Sequence, residues 1–184
     1  MPRRWKLKRQ QMSIEATANE QRAVQLAQVC AQGAACVGAN WSFAPIIDID
    51  RNFRNPITNT RTFGSDSEMV RKLGSAYVRT IQSQGFAATI KHFPGDGCDE
   101  QDQHLVASIN DLSCEEWDNT YGATYKACID DGALCCMVTA NILHICRKVY
   151  RNICCPCVCS GKGGSKRRSR PNSVFVTQSF SMQS

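Results

Sequence analysis

The chain has 184 residues, 42% of them hydrophobic, and a formal net charge of +6. This length and hydrophobic content are sufficient for one well-formed core. The basic charge is peripheral, since residues 1–9 hold five Lys or Arg, residues 141–184 hold eight more and no acid, and the middle is net acidic. No apolar run of eighteen residues occurs, and the basic start lacks the apolar segment of a secretory signal. These features exclude a membrane span and lead us to expect a cytoplasmic protein.

The first half of the chain shows two helix patterns separated by a strand and a long loop. Residues 19–34 have the spacing of an amphipathic helix, and residues 37–47 are predicted to form a strand. The loop over 48–64 is long enough to indicate a functional role. A capping-box pattern at Ser65 and Glu68 predicts the second helix. The side chains expected on the inner faces of these helices are Ala23, Leu26, Cys30, Ala34, Val70, Leu73, Tyr77 and Ile81.

The second half repeats the alternation of strand and helix. Residues 85–90 are apolar and bounded by glycine, which predicts a buried strand. A second capping-box pattern at Ser113 and Glu116 opens a helix that is expected to end near Gly132, before a strand over 133–139. The order strand, helix, strand, helix, strand predicts a parallel sheet with right-handed crossovers. The aromatic stripe of the last helix is expected in the core rather than as a sugar platform, and comprises Trp117, Tyr121 and Tyr125.

Two groups of polar residues follow the central strand and are candidates for sugar chemistry. Lys91 and His92 lie at its carboxyl end, where α/β folds bind ligands, and both can donate hydrogen bonds to hydroxyls. Asp102 and His104 lie on the polar loop that follows. A histidine can give and take the proton of a glycosidic oxygen near neutral pH, and a neighbouring carboxylate can orient its ring. The structural alternatives are that the Asp-x-His pair is only a loop contact and that the lysine is solvated or paired.

Three motifs occur in a specific order along the chain. Asn-Trp-Ser-Phe-Ala-Pro-Ile-Ile-Asp occupies 40–48, Arg-Thr-Phe-Gly-x-Asp occupies 61–66, and Lys-His-Phe-Pro-Gly at 91–95 precedes Asp-x-His at 102–104. Together they resemble the family 3 glycoside hydrolases, especially the β-N-acetylglucosaminidase-like branch. The resemblance implies a TIM-type barrel that hydrolyses terminal β-linked sugars with retention and needs no metal or cofactor.

The resemblance also implies roles for individual residues. Arg61, Lys91 and His92 would hold the terminal sugar. Asp48 would be a further substrate-binding residue. His104 with Asp102 would form the catalytic acid/base dyad.

The chain also departs from the family pattern. Asp96 stands where members usually have histidine, and no segment after residue 140 resembles the later strand that carries the nucleophilic aspartate. The resemblance covers about residues 16–140, fewer than the roughly 250 residues of a complete barrel. We therefore expect an α/β fold that is part of a TIM-type barrel with parallel strands, preceded by a basic segment at 1–15. A basic, Cys-rich tail at 141–184 is expected to be disordered or frameshifted.

The tail does not favour a metal site, and a nucleic-acid partner is not the expected one although its basic run could contact nucleic acid. Its single Cys-x-x-Cys lacks the second pair that a zinc site needs, and the Gly, Ser, Lys and Arg run at 162–170 is typical of solvated disorder. The spacing of Asp96, Asp99 and Asp102 does not fit a calcium loop.

Two functions stay open on the sequence, besides a weaker third reading of the basic, Cys-rich tail as a nucleic-acid module. The first is a glycoside hydrolase of β-N-acetylhexosaminidase or β-glucosidase type with a carbohydrate substrate. The second is a truncated or frameshifted, non-catalytic fragment without turnover of its own.

Overall fold

The computed structural model describes residues 10–106 and 108–139 with their side chains, and the backbones of 142–143 and 174–177. It shows helices packed against a parallel sheet, which confirms the predicted α/β class. The helices are α1 Gln11–Glu15, α2 Glu20–Ala35, α3 Ser67–Ser83, α4 Cys114–Trp117 and α5 Ala123–Asp130, with a 3₁₀-helical turn at Asn59–Arg61 and a π-helical segment at Asp118–Gly122.

Six short strands complete the described structure: β1 Trp41–Ser42, β2 Ala87–Phe93, β3 Ile109–Asn110, β4 Cys135–Val138, β5 Ile142–Leu143 and β6 Val174–Thr177. Four of them form a parallel sheet in the order β1-β2-β4-β6, and β3 pairs in parallel with β5. Since β2 has a neighbour on each side, its backbone is held along most of its length. The carboxyl end of β2 is therefore a well-supported place for functional side chains.

The predicted strand over 37–47 is wrong in extent. Only Trp41–Ser42 pairs with β2 as a ladder, and a single bridge joins Ile46 to Lys91 further along. Pro45 lies between these two contacts and has no amide N–H to give to a ladder. The regular ladder therefore ends at Ser42, although the Ala44 carbonyl still accepts from the Thr89 amide at 3.1 Å, and pairing resumes at Ile46.

Helix α2 packs against α3 along a line of small side chains. Its buried residues are Ala23, Ala27 and Ala31, four residues apart, so they form one stripe. The predicted burial of Ala23 is confirmed, but the buried face of α2 is rotated relative to the predicted one. Three expected core residues are only partly buried, namely Leu26, Cys30 and Ala34. Alanines occupy the line of closest approach because a helix can come nearer there, and the larger side chains flank it.

Helix α3 has the predicted inner face and a different start. Val70, Leu73, Tyr77 and Ile81 are all buried, as expected. The N-cap is Asp66, whose carboxylate accepts a hydrogen bond from the amide of Met69 at 2.9 Å, so the predicted cap at Ser65 is wrong by one residue.

The capping box of the last helical region is confirmed. The Ser113 hydroxyl accepts from the Glu116 amide at 3.2 Å, and the Glu116 carboxylate accepts from the Ser113 amide at 3.0 Å. The aromatic side chains of this region lie in the core, also as predicted: Trp117, Tyr121 and Tyr125. They pack against the end of β2, since the Phe93 ring makes edge contacts with both Trp117 and Tyr125.

In the two ranges described with side chains, no helix is long and apolar enough to cross a membrane. Most of the predicted tail lies outside the described residues, and the parts that are described are the strands β5 and β6. The division into segments at 1–15, 16–140 and 141–184 stays a prediction.

Candidate active site

Strand β2 delivers two polar residues to the edge of the sheet. Lys91 is half-buried and His92 is 5% exposed, although the rest of the strand is apolar except for the buried Thr89. The backbone then turns, with the Gly95 amide donating to the His92 carbonyl at 2.7 Å. Gly95 has φ +125°, and a side chain there would overlap the Tyr121 ring. The turn that ends β2 is therefore fixed by close packing as well as by its hydrogen bond.

Asp48 is the centre of a buried hydrogen-bond cluster at this strand end. Its side chain is 0% exposed, and it accepts from the His92 amide at 3.0 and 3.1 Å. The same carboxylate meets Nδ1 of the His92 ring at 2.6 Å and accepts from the Asp96 amide at 2.8 Å. All of these contacts are to the protein. Both oxygens of the Asp48 carboxylate are therefore held by protein donors, and its contact with a sugar stays a prediction.

Two cationic side chains lie near each other beside this cluster. Burial lowers the pKa of the Lys91 ammonium, the positive charge of Arg61 lowers it further, and Asp48 opposes both effects. The guanidinium of Arg61 is exposed and donates to the Ile57 carbonyl at 2.8 Å. The structure thus brings Arg61, Lys91 and Asp48 into electrostatic contact, with the two cations able to donate hydrogen bonds to a ligand.

The loop after β2, residues 96–104, is docked on the loop after β1. The Gly97 carbonyl accepts from the amides of Arg51 at 3.1 Å and Asn52 at 2.8 Å. The Asn52 side chain donates to the Cys98 carbonyl at 3.3 Å. Gly97 has φ +103°, and a side chain at this position would collide with the Ile49 carbonyl oxygen. The base of the loop is therefore anchored by backbone contacts.

Asp102 and His104 meet at the far end of this loop. The Asp102 carboxylate accepts from the His104 amide at 2.8 Å and lies 2.7 Å from Nδ1 of its ring. Those two hydrogen bonds, the backbone one first, hold the pKa of Asp102 below its usual range. The side chain of His104 is 41% exposed and that of Asp102 32%. With Nδ1 engaged by the carboxylate, Nε2 is the ring nitrogen on the side away from Asp102.

Asp96 belongs to the site and was not among the residues proposed from the sequence. It is 1% exposed, with one carboxylate oxygen accepting from the Asn55 side chain at 3.1 Å and from the Gly97 amide at 2.8 Å. Its carbonyl accepts from the Tyr121 hydroxyl at 2.6 Å. Burial, reinforced by the charge of Asp48, raises the pKa of Asp96 to about 6.

Asn55 was also not identified as a site residue from the sequence. It is fully buried, caps the amides of Ile57 and Thr58, and donates to both Asp96 and the Asp99 carbonyl. The one signal available was the Asn-Pro step at 55–56, which is typical of a turn whose side chain bonds its own backbone.

The parallel α/β fold, with polar residues gathered where strands end, is that of barrel-type enzyme domains. The model of the glycosyl hydrolase family 3 N-terminal domain matches residues 8–148. The chain belongs to this family. The predicted relation to part of a TIM-type barrel is thereby confirmed.

Relatives support this assignment. A β-N-acetylglucosaminidase/β-glucosidase of Cellulomonas fimi is 52% identical over 127 residues, which are 69% of this chain and 22% of the relative. A β-hexosaminidase of Pseudomonas aeruginosa is 36% identical over 108 residues, or 56% of this chain and 32% of the relative. The chain therefore spans less than a third of the Cellulomonas fimi relative and about a third of the Pseudomonas one.

Solved structures show the same similarity. A β-glucoside phosphorylase has a TM-score of 0.70 and 49% identity, covering 72% of this chain and 24% of that protein. A family 3 β-N-acetylglucosaminidase from a Paenibacillus species has a TM-score of 0.70 and 31% identity, with 72% of this chain and 25% of that protein covered.

Proposed function

We propose that this chain supplies the sugar-binding and proton-transfer part of a family 3 active site that cleaves terminal β-N-acetylglucosaminides or β-glucosides. The observation that carries the proposal is the 2.7 Å contact between Asp102 and Nδ1 of His104, on the loop that follows the central strand. Family membership supports the carbohydrate substrate, and the Cellulomonas fimi relative supports the two sugar types.

In the proposed reaction, His104 transfers the proton. When protonated, it gives the Nε2 proton to the glycosidic oxygen as the bond to the leaving group breaks. As a neutral ring, it then takes a proton from the water that releases the retained sugar. Asp102 stabilises the charged ring and fixes its orientation through Nδ1, and its lowered pKa keeps it ionised throughout.

The strand end is proposed to bind the retained sugar. Lys91 and Arg61 donate hydrogen bonds to its hydroxyls. Burial disfavours the charged form of Lys91, and hydrogen bonds from its ammonium group to an oxygen-rich ligand offset part of that cost. His92 presents its ring from a fixed orientation because Asp48 holds both its amide and Nδ1. Asp48 acts through His92 and is a positioning residue.

Retention of configuration requires a second carboxylate as the nucleophile. We assign none of the described residues to that role. Asp48 and Asp96 are buried in protein contacts, and Asp102 is engaged by His104. We therefore expect that the 184-residue chain alone does not hydrolyse aryl β-glycosides, in agreement with the fragment alternative.

A second candidate is transfer of the sugar to inorganic phosphate. The solved structure at 49% identity is named a β-glucoside phosphorylase, and the pair of Lys91 and Arg61 adds positive charge to the site. A neutral imidazole, unlike a carboxylate, does not repel an incoming phosphate. Phosphate would then replace water as the acceptor, giving a sugar 1-phosphate.

A chimera tests both candidates. The matching 127 residues of the Cellulomonas fimi relative are replaced by those of this chain, and turnover of nitrophenyl β-N-acetylglucosaminide and β-glucoside is measured with and without phosphate. Active hydrolysis supports the first candidate, and phosphate-dependent formation of a sugar 1-phosphate supports the second. Exchange of Glu100 for Ala is the matched control, because its exposed side chain lies on the same loop. A folded chimera that binds sugar but shows no turnover of either kind would contradict the proposal.

A further inference from the structure

Asp96 occupies the one turn that connects the two halves of the proposed site. It follows the strand end with Lys91 and His92 and opens the loop that ends in Asp102 and His104. Three contacts tie it to other elements: its amide to Asp48, its carboxylate to Asn55, and its carbonyl to the Tyr121 hydroxyl. Any change at Asp96 is therefore transmitted to the base of the loop.

Only one of the two carboxylate oxygens of Asp96 accepts hydrogen bonds. One oxygen accepts two hydrogen bonds, whereas the other, within residues 10–106 and 108–139, is buried and has no hydrogen-bond partner. A bare carboxylate oxygen costs more to bury than a protonated one.

The charges around Asp96 add to this cost. Asp48, a second buried carboxylate, faces it through the Asp96 amide. The His92 ring contacts Asp48 at 2.6 Å, and its effect of lowering the pKa of Asp96 is smaller than the opposing effects of burial and Asp48. Among the other titratable groups near it, Tyr121 donates from its hydroxyl, Cys98 lies two residues on, and Arg51 acts on both of these. The cluster therefore holds two buried carboxylates with one basic ring.

We propose that Asp96 is a positioning residue whose buried carboxyl group tightens the loop carrying Asp102 and His104 when it is protonated and loosens it when it is ionised. The role in proton transfer rests on the proposed function, but the loop behaviour does not. The raised pKa of about 6 agrees with a proton held at Asp96 in the docked loop.

The direction of the pH effect follows from the two proton affinities. In an opened loop the carboxyl group regains an ordinary pKa of about 3.9, below that of the docked loop. The docked loop therefore binds the proton more tightly, and opening becomes easier as pH rises between about 4 and 6. Above about 7 the group is ionised in both states and the effect is constant. The opening constant should rise by about 30-fold between pH 4 and 6, because the group is only partly titrated at each end of this window, and by about 100-fold in total.

Hydrogen exchange of the full 184-residue chain between pH 4 and 7 measures this opening, with amide protection at 97–106 corrected for intrinsic exchange. The wild-type loop should lose about 30-fold of protection between pH 4 and 6, and Asp96→Asn should remove most of that dependence. Asp99→Asn is the matched control, because it lies on the same loop with its carboxylate bound to exposed amides, and it should keep the wild-type dependence.

A second measurement does not need a variant. The carboxyl ¹³C signal of Asp96 in the wild-type chain should titrate near pH 6, and a midpoint at or below about 4 would overturn the proposal. A pH dependence of loop protection that survives in Asp96→Asn, or that Asp99→Asn abolishes equally, would overturn it as well. Loss of sugar cleavage with an intact pH dependence of the loop would instead count against the proposed function alone.

Discussion

The two halves of the site are built in opposite ways. At the strand end, His92 is 5% exposed and its ring and amide are both held by the fully buried Asp48. At the loop end, His104 is paired with an aspartate at nearly the same distance, 2.7 Å against 2.6 Å, but its side chain is 41% exposed. The two His–Asp pairs therefore have similar hydrogen-bond lengths but differ in exposure. The buried pair holds the end of the strand, while the exposed pair is the one that we propose for exchange of a proton with a ligand.

The buried pair should therefore show its importance in stability. Asp48→Ala removes the acceptor for His92 and Asp96 and leaves three buried donors without a partner, so we expect the free energy of unfolding to fall by about 3–5 kcal/mol. Urea denaturation of the full chain measures this change. Asp118→Ala, an exposed aspartate, should stay within about 0.5 kcal/mol of wild type. A loss at Asp48 no larger than at Asp118 would show that the buried cluster does not hold the strand end.

Substitution of Gly97 should disrupt the docking of the loop that connects the strand end to Asp102 and His104. Alanine there must adopt φ +103° and would push against the Ile49 carbonyl oxygen, so we expect a loss of about 2–3 kcal/mol and an undocked loop. Gly38→Ala is the matched control, because Gly38 also has a positive φ, +74°, but has open space around it. Thermal unfolding should separate the two, with Gly38→Ala costing about 1–2 kcal/mol from backbone strain alone. Equal costs would mean that the close approach at Gly97 is unimportant.

The exposed pair should show its importance in the pH dependence of catalysis. In the chimera, Asp102→Asn keeps the side-chain shape but removes the negative charge beside the His104 ring. Because that charge favours the protonated ring, the limb on which activity declines with rising pH should move to lower pH. The decrease in rate should be smaller than for loss of His104 itself. An unchanged pH profile would argue that Asp102 merely shapes the loop.

The smallest effect is expected at the rim of the loop. Arg54 and Glu100 form an ion pair of 3.4 Å between two exposed side chains, so Arg54→Ala should cost less than about 1 kcal/mol. Raising the salt concentration should reduce even that difference. A loss of unfolding free energy as large as that of Asp48→Ala would contradict the distinction between the buried, stabilising cluster and the exposed loop.

The sequence was informative where local pattern decides the outcome. Lys91 and His92 were predicted at a strand end because apolar residues and a Pro-Gly turn bracket them, and the two-residue spacing of Asp102 and His104 predicted their contact. Asp48 was different, since its role depends on a partner 44 residues away and on complete burial. A spacing rule contains no information on such a contact.

The contacts of Asp96 could not be predicted from the sequence for the same reason. The sequence marked it only as a departure from the usual histidine, because nothing local indicates that Asp48 lies behind it or that Asn55 reaches it across 41 residues. The prediction of a strand over 37–47 was wrong in extent for a local reason. The apolar pattern continues through Pro45, whereas the regular ladder does not. The proton-binding cluster therefore required the fold, whereas the dyad did not.

The leaving-group dependence of His104→Ala in the chimera tests the central claim most directly. If His104 is the acid, kcat/KM should fall by about 10²–10⁴-fold for substrates with poor leaving groups and much less for those with highly acidic leaving groups. Lys91→Ala, whose proposed contact is with the retained sugar, should lower kcat/KM by the same factor for all of them. Parallel losses for both variants, or unchanged rates of His104→Ala on the poor leaving groups, would show that Asp102 and His104 form only a structural loop.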